Sequence, residues 1–197
     1  MSSHKLALAI QQFKAENPST QFQIRVQLYL LDPDVSAEPI LVAKNSTARF
    51  RVERWESLKK FETEKFAAIG LKANNEGYTS STVPAHRLLA YANTTNVDVQ
   101  WPLALDLMKA HHLDGRYPAD PTLLFNLAVK HKVFTDEKEV KELLSTKQYV
   151  AEVRQASQEA KSGGIKSVPF YRFQGVHDSP NSKTADEFIE LFKQYSS

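Results

Sequence analysis

The stretch that decides the fold runs from Gly163 to Phe173 and reads GGIKSVPFYRF. Its two glycines end the helical pattern before it, and the run that opens with Val168-Pro169 is short, apolar and aromatic. Such a run predicts a buried strand. Because proline has no N–H to donate to a ladder, Pro169 is expected at the first position of this strand. Composition alone favours a trans bond before it, since only about 5–6% of X-Pro bonds in folded proteins are cis.

Length and composition are those of an ordinary globular chain. The 197 residues are 42% hydrophobic and 24% charged, which suits one well-buried domain or a domain with a large insertion. The formal charge of +2 comes from interleaved acids and bases, so no nucleic-acid partner is expected. No apolar run approaches the roughly 18 residues of a membrane span, and the amino terminus lacks the blocks of a signal peptide. We expect a cytoplasmic protein with no membrane partner.

The chain contains no cysteine, which excludes a disulfide framework, a catalytic thiolate and a thiolate metal site. The adjacent pair His111-His112 looks like a pair of metal ligands. Adjacent residues on a helix point about 100° apart, however, and no acid lies at a useful spacing. No glycine-rich loop follows a strand, as a nucleotide-phosphate site would need. We expect neither a metal nor another cofactor.

Periodicity predicts the order of the elements. Residues 21–31 alternate apolar and polar side chains, which is the strongest strand signal in the chain, and Asp32-Pro33-Asp34 ends it. Residues 34–53 are expected to form a loop. Helical spacing is present before Asn17 and over residues 54–76, 84–92, 100–112, 121–131 and 136–161, the last with a break near 145–146. A poor strand at 176–180 precedes a final helix that begins with the capping box of Thr184 and Glu187.

Residues 164–173, written G-I-x-S-V-P-F-Y-x-F, resemble the cis-proline loop of the DsbA-like thioredoxin family, in particular its FrnE-like branch. That branch is related to the kappa glutathione transferases and the 2-hydroxychromene-2-carboxylate isomerases. A second similarity is the alternating strand that ends Y-x-L-D-P, here residues 29–33. The resemblance implies a cis bond between Val168 and Pro169. In the family this loop faces a C-P-W-C motif, and this chain has no cysteine.

The resemblance covers nearly the whole chain. It implies an α/β protein with a thioredoxin-like fold and a large inserted helical domain. The thioredoxin-like domain would be split between residues 1–50 and 150–197, with the helical insertion at 51–149. On the family pattern, residues 2–6 match those just beyond the second cysteine. The first strand and the cysteine motif would then lie before Met1, so we expect an incomplete fold with its first strand missing.

A missing first strand would leave residues 22–31 and 170–173 each with an unpaired edge in the middle of the sheet. Unpaired buried backbone groups cost about 1–3 kcal/mol each. Three repairs are open: direct parallel pairing of the two strands, a filling segment from residues 34–50 that includes Ile40-Leu41-Val42, or pairing with a second copy across a two-fold axis. We favour a homodimer, because the apolar face of residues 22–28 needs cover.

The candidate catalytic residues are His86, Tyr78 and Tyr171. Residues 84–88 resemble the family segment T-x-x-S-H-R-L near the redox site, and a histidine there can transfer protons near neutral pH. The structural alternative is that His86 caps or packs beneath the loop. The aromatic residues among the candidates either line a pocket between the domains or belong to the core. The candidate substrate-binding residues are Tyr29, Thr79, Arg87, Val168, Pro169 and Phe170.

The resemblance supports two functions. In the first, which we favour, the cleft between the domains binds a small, largely apolar, polyketide-like metabolite and isomerises or cyclises it without redox chemistry. FrnE-like proteins commonly accompany polyketide pathways of secondary metabolism, and the isomerase relatives show that the fold supports such reactions. In the second, the protein is a non-catalytic binding or scaffold module that has lost thiol–disulfide oxidoreductase activity. An aromatic pocket with converging polar groups favours the first, and a filled cleft with a flat apolar patch favours the second.

Overall fold

A computed structural model describes residues 1–195 of the chain. The helices are α1 (Ser2–Glu16), α2 (Val42–Arg49), α3 (Val52–Ala67), α4 (Val83–Thr95), α5 (Val97–His112), α6 (Pro121–Lys130), α7 (Glu137–Ser145), α8 (Val150–Ser162) and α9 (Ala185–Tyr195). The strands are β1 (Ile40–Leu41), β2 (Tyr78–Thr79), β3 (Phe170–Phe173) and β4 (His177–Pro180). β1 pairs with β2, and β3 pairs with β4, both antiparallel. Among the described residues, no helix is long and apolar enough to cross a membrane.

The chain divides into two compact units. The first consists of residues 1–23 together with those from 160 onward, and the second consists of residues 24–159. The first unit therefore contains α1, the β3–β4 hairpin and α9, whereas the other helices and the β1–β2 pair belong to the second, apart from the end of α8. The split predicted from the sequence, at residues 50 and 150, stays a prediction.

Aromatic side chains form the core of the first unit. Phe13 of α1 and Phe188 and Phe192 of α9 are buried. Phe22 packs edge-on against both helices, with ring centroids 6.0 Å from Phe13 and 4.9 Å from Phe192. Edge-to-face pairs of this kind stabilise beyond the area that they bury. The final helix thus packs into this core through Phe188 and Phe192.

The β3–β4 hairpin is a local structure. Its register places Phe173 opposite His177, and a turn closes where the Val176 N–H donates to the Phe173 carbonyl at 3.1 Å. Gln174 and Gly175 in this turn have φ of 51° and 76°. Positive φ at both central positions is the type I′ pattern, whose twist matches that of the flanking strands. The poor strand predicted at residues 176–180 therefore forms, because its partner is only a turn away.

Two local predictions near this hairpin are confirmed, the cis bond and the capping box. The peptide bond between Val168 and Pro169 is cis. Asn181 takes the left-handed region, with φ of 71°, and its N–H donates to the Pro169 carbonyl at 3.0 Å. At the start of α9, Thr184 Oγ1 accepts from the Glu187 N–H at 3.2 Å, and Glu187 Oε2 accepts from the Thr184 N–H at 2.6 Å. This reciprocal pair is the predicted capping box.

The second unit is a helical core with residues 24–31 packed on it. Helices α4 to α8 supply most of its buried apolar side chains, and Leu28 and Leu30 join them. Along residues 24–31, each even-numbered side chain is more buried than the odd-numbered one before it. This period of two is that of an extended chain with one face turned inward.

The strand predicted at residues 21–31 is nevertheless wrong, because within residues 1–195 no neighbouring strand provides a ladder for this segment. Side chains take the place of a partner strand. Gln100 Oε1 accepts from the Val26 N–H at 2.8 Å, and its Nε2 donates to the Val26 carbonyl at 3.2 Å. Ser157 Oγ accepts from the Leu30 N–H at 2.9 Å. Main-chain groups removed from water need partners, and distant helices supply them here.

Two further predictions are corrected in the second unit. Residues 34–53, predicted as a loop, contain β1 and α2. Leu41 pairs with Tyr78 of β2, so this segment does not pair with residues 22–31. The helix predicted at residues 54–76 ends as α3 at Ala67, and Gly70 follows with a left-handed φ of 72°. A glycine in this conformation commonly follows the last turn of a helix.

Candidate functional site

A polar group lies among the aromatic side chains of the first unit at Tyr171 in β3. Its ring packs edge-on against Phe188, with centroids 4.9 Å apart. Its hydroxyl is buried and makes no hydrogen bond of ordinary geometry within the described chain. Ser2 lies near it at the start of α1, but the Ser2 hydroxyl pairs with that of Ser182 at 2.9 Å. Tyr171 thus carries a buried hydroxyl that no hydrogen bond of ordinary geometry satisfies among the described residues.

Burial raises the pKa of the Tyr171 hydroxyl above its ordinary value, and the nearby Ser2 side chain offsets only part of this effect. An unperturbed tyrosine, with a pKa near 10, is already neutral at pH 7, so Tyr171 stays protonated. A neutral, buried O–H is a hydrogen-bond donor and not a base. The arrangement is therefore suited to an oxygen acceptor such as a carbonyl.

His86 is held inside the second unit. Its Nδ1 lies 2.8 Å from the Thr82 carbonyl, one turn earlier, and its ring also bonds to the backbone of Tyr29. Burial lowers the pKa of the imidazole below its ordinary value, and these two backbone hydrogen bonds oppose the shift. This geometry corresponds to the structural alternative for His86, in which the ring packs and bonds internally. A catalytic role for His86 stays a prediction.

Arg87 is only 4% exposed, and its guanidinium is committed to the main chain. It donates to the carbonyls of Gln148 at 2.6 Å, Thr146 at 2.9 Å and Leu144 at 3.4 Å, and also to that of Leu143. These carbonyls lie at the end of α7 and just beyond it. A helix leaves its last acceptors unsatisfied there, and its dipole favours a cation. The observed contacts of Arg87 therefore cap α7, and its predicted contact with a substrate stays a prediction.

The structure separates the predicted site residues into two sets. The first set is contiguous in the first unit: Val168, Pro169, Phe170 and Tyr171. The second set lies in the second unit: Tyr29, Tyr78, Thr79, His86 and Arg87. Within the second set, His86 and Tyr29 are in contact, and Tyr78 is 47% exposed in the β1–β2 pair. Tyr171 and His86, both predicted as catalytic, thus belong to different compact units.

The residues that hold the segment 24–31 were not predicted from the sequence. Gln100 is only 1% exposed, and in addition to its two bonds to Val26 it donates to the Leu89 carbonyl at 3.2 Å. Ser157 is likewise buried on α8. A polar side chain on the inner face of an amphipathic helix is the signal that identifies such residues, because a buried amide or hydroxyl must find a partner.

An open groove in the second unit is a further candidate site that the sequence patterns did not indicate. We call it the α3 groove. Its volume is about 1150 Å³, and it is lined by α3 and by residues 72–76, with the buried Trp55 of α3 among the lining residues. Asn75 Nδ2 donates across it to Thr63 Oγ1 at 3.2 Å. None of the predicted site residues lines this groove.

His111 and His112 at the end of α5 make separate contacts. His112 Nδ1 lies 3.5 Å from a carboxylate oxygen of Glu62, and His111 Nδ1 lies 3.2 Å from the Arg116 carbonyl. In the described part of the chain, no group of three or more histidine or carboxylate side chains could hold a metal ion. The two histidines tie the end of α5 to α3 and to the following loop.

Comparison with known proteins agrees with this architecture. Residues 4–191 match the family of the DSBA-like thioredoxin domain. The fold is similar to the crystal structure of a probable DsbA oxidoreductase from Streptomyces coelicolor, with a TM-score of 0.75 and 22% identity over 99% of this chain and 83% of that one. Curated proteins gave no match. The chain therefore has the thioredoxin-like DsbA fold and belongs to the DSBA-like thioredoxin domain family, and because it contains no cysteine it has no thiol–disulfide redox chemistry of its own.

Proposed function

We propose that the protein is a non-redox enzyme of the isomerase or cyclase type, acting on a small, largely apolar, polyketide-like ketone. The observation that carries this proposal is the buried Tyr171 hydroxyl, which makes no hydrogen bond of ordinary geometry within residues 1–195. The phenol donates a hydrogen bond to the carbonyl oxygen of the substrate. It stabilises the negative charge that develops there when a base, for which His86 and Tyr78 are the candidates, takes a proton from the adjacent carbon. The proton returns at another position, so the reaction needs no oxidant or reductant.

The surroundings of Tyr171 support this role. Its ring lies against Phe188, and burial keeps the phenol protonated by raising its pKa. A donor held away from water acts on developing charge more strongly than one in solvent. The loop of Val168 to Phe170 next to it would contact the substrate, as predicted from the sequence. Roles for His86 and Tyr78 in proton transfer are further parts of the proposal, to be tested separately by their variants.

The test is the substitution Tyr171→Phe, which removes only the hydroxyl. A panel of aromatic polyketide-like hydroxyketones is first screened for binding by thermal shift, and each ketone that binds is followed for conversion by absorbance. Loss of one oxyanion donor typically lowers kcat about 10²–10³-fold, and we expect that loss in the Tyr171→Phe variant. Tyr117→Phe is the matched control. If the Tyr171→Phe variant converts the ketone at the wild-type rate, the Tyr171 hydroxyl takes no part in the reaction.

A second function is favoured by the contacts of His86 and Arg87. Both side chains use their polar atoms for main-chain groups of their own unit. This favours a non-catalytic binding or scaffold protein, in which these residues stabilise the fold and act on no ligand. The two functions differ in a measurable way. The second function predicts that the wild-type protein binds a ketone but does not convert it. It also predicts that the His86→Gln variant binds this ketone with the same affinity.

The proposal includes a homodimer. Arg25 and Gln27 are exposed, and their main-chain groups make no hydrogen bond within the described chain. An extended segment of a second copy, placed antiparallel, would pair these groups. Sedimentation at micromolar concentration tests the association. A single species with the monomer mass of 22.3 kDa would exclude it.

A further inference from the structure

The α3 groove carries charges that the fold does not use. Lys60 and Glu64 lie one helical turn apart on the α3 wall, and Lys72 and Glu76 lie on the wall across from it. Within the described residues, none of these four side chains makes an ion pair. Each wall therefore offers one cation and one anion. A ligand that complements the groove must carry both signs of charge.

The groove also borders unpaired main chain. The Asn74 N–H donates to the His112 carbonyl at 2.7 Å, which fixes one end of the second wall. The backbone groups of Lys72 and Ala73 just before it make no hydrogen bond within the described chain. An unpaired stretch of backbone is the kind of edge to which an extended peptide adds by forming main-chain hydrogen bonds. A compact small molecule would leave these groups unused.

The dimensions also favour a peptide. The volume of about 1150 Å³ is above the roughly 300–1,000 Å³ usual for small-molecule pockets. The lined part of α3, from Trp55 to Glu64, is about 13 Å long at about 1.5 Å per residue. An extended chain rises about 3.3 Å per residue, so about four residues fit. Residues two apart in such a chain are about 6.6 Å from each other. Side chains one turn apart on a helix, such as Lys60 and Glu64, are separated by roughly 6 Å, so the two spacings match.

We propose that the α3 groove binds an extended peptide segment of another protein, about four residues long, with an acidic and a basic side chain two residues apart. The main chain of this segment pairs with Lys72 and Ala73. Its acid meets Lys60, and its base meets Glu64. The apolar side chains that alternate with them point to the opposite face of the segment. Because the four unpaired charges sum to zero, the order of charges along the peptide decides which segments bind.

The charge part of the proposal is tested with two capped tetrapeptides, Ac-Val-Glu-Val-Lys-NH2 and its neutral analogue Ac-Val-Gln-Val-Gln-NH2. Titration calorimetry with the full chain should show the charged peptide binding at least about threefold tighter, a difference that shrinks at high salt. The double variant Lys60→Gln with Glu64→Gln should abolish this difference. The control is Lys138→Gln with Glu142→Gln, which removes exposed charges at the same spacing on α7. Equal affinity of the two peptides for the wild-type chain would overturn the proposal.

The main-chain part is tested on the peptide, so that the fold is not disturbed. Methylation of the amide nitrogen of the central valine removes one donor and should weaken binding up to about tenfold. Amide resonances of Lys72 and Ala73 should shift on addition of the unmethylated peptide. Unchanged affinity after methylation would overturn the proposal. So would binding of the free dipeptide Glu-Lys as tight as that of the tetrapeptide, because that result assigns the groove to small zwitterions.

Discussion

Residues 24–31 and β3 are two segments of the same kind of chain that are held by different partners. β3 pairs along all four of its residues with β4, which follows it after a short turn. Residues 24–31 pair with no strand in the described part of the chain. Gln100 and Ser157, which are 74 and 127 residues away from their partners, bond to Val26 and Leu30. A ladder shares its main-chain bonds among many residues, whereas these contacts depend on single side chains. Single substitutions should therefore affect the two segments very differently.

The largest effect is expected for Gln100→Leu. The substitution leaves both main-chain groups of Val26 without a partner, whereas the carbonyl of Leu89, inside α4, loses only an additional bond. At about 1–3 kcal/mol for each of these two unsatisfied groups, we expect a loss of about 2–5 kcal/mol, measured by urea unfolding. Gln148→Leu, at an exposed position in the same unit, is the control and should stay within about 0.5 kcal/mol. A similar small change in both variants would mean that Val26 is paired in another way.

Ser157→Ala tests the second side-chain contact and should cost less. Only the Leu30 N–H loses its acceptor, so we expect a loss of about 1–2 kcal/mol in the same assay. Ser162→Ala, exposed at the end of the same helix, separates this effect from any change in helix propensity. If both alanine variants unfold at the wild-type midpoint, the Leu30 contact does not hold the segment.

The burial of His86, which also bonds to the backbone of Tyr29, should appear as a dependence of stability on pH. Burial lowers the pKa of His86 in the folded chain below the unfolded value of about 6.5. As the pH falls, the unfolded chain therefore takes up the proton first. The contribution of His86 is complete above about pH 6.5 and is lost below it, with a slope of at most about 1.4 kcal/mol per pH unit. Urea unfolding between about pH 5 and 8 should show a shallower slope for His86→Gln than for the wild-type chain; equal slopes would contradict the assignment.

The smallest effect is expected in the hairpin, at Gly175→Ala. Gly175 has φ of 76°, and a Cβ added there meets nothing within 4 Å, so the cost is the backbone conformation alone. We expect a loss of about 1 kcal/mol, because the remaining bonds of the ladder persist. Gly163→Ala, at a glycine without positive φ, is the control. A loss as large as that of Gln100→Leu would show that the hairpin is no more robust than the side-chain contacts.

These two regions also show which parts of the fold could be predicted from the sequence. The hairpin, its turn and the capping box of Thr184 were predictable, because each depends on residues a few positions apart. The alternation of residues 21–31 correctly indicated which side chains face inward, and it wrongly indicated a strand. Alternation reports burial on one face, whereas a strand also needs a neighbouring backbone.

The candidate sites divide in the same way. Tyr171 was a candidate because of its place after the cis-proline loop, but its buried hydroxyl without a partner is visible only in the structure. Arg87 was a candidate ligand because of a local pattern, and its bonds go to carbonyls more than 50 residues away. No sequence pattern indicated the α3 groove. Its walls are a helix and an irregular segment, and the polar residues of both are typical of an ordinary solvent-exposed surface.

By itself, the sequence determined that this member of the DSBA-like family has no thiol chemistry, where its last helix begins, and which face of residues 24–31 is buried. These properties follow from residue types and from neighbours along the chain. Only the tertiary structure decided that Gln100 and Ser157 replace a strand, that Tyr171 keeps an unused donor and that α3 borders an open groove. The physical reason is that each buried polar group must find a partner, and which distant group comes within bonding distance depends on how the helices pack.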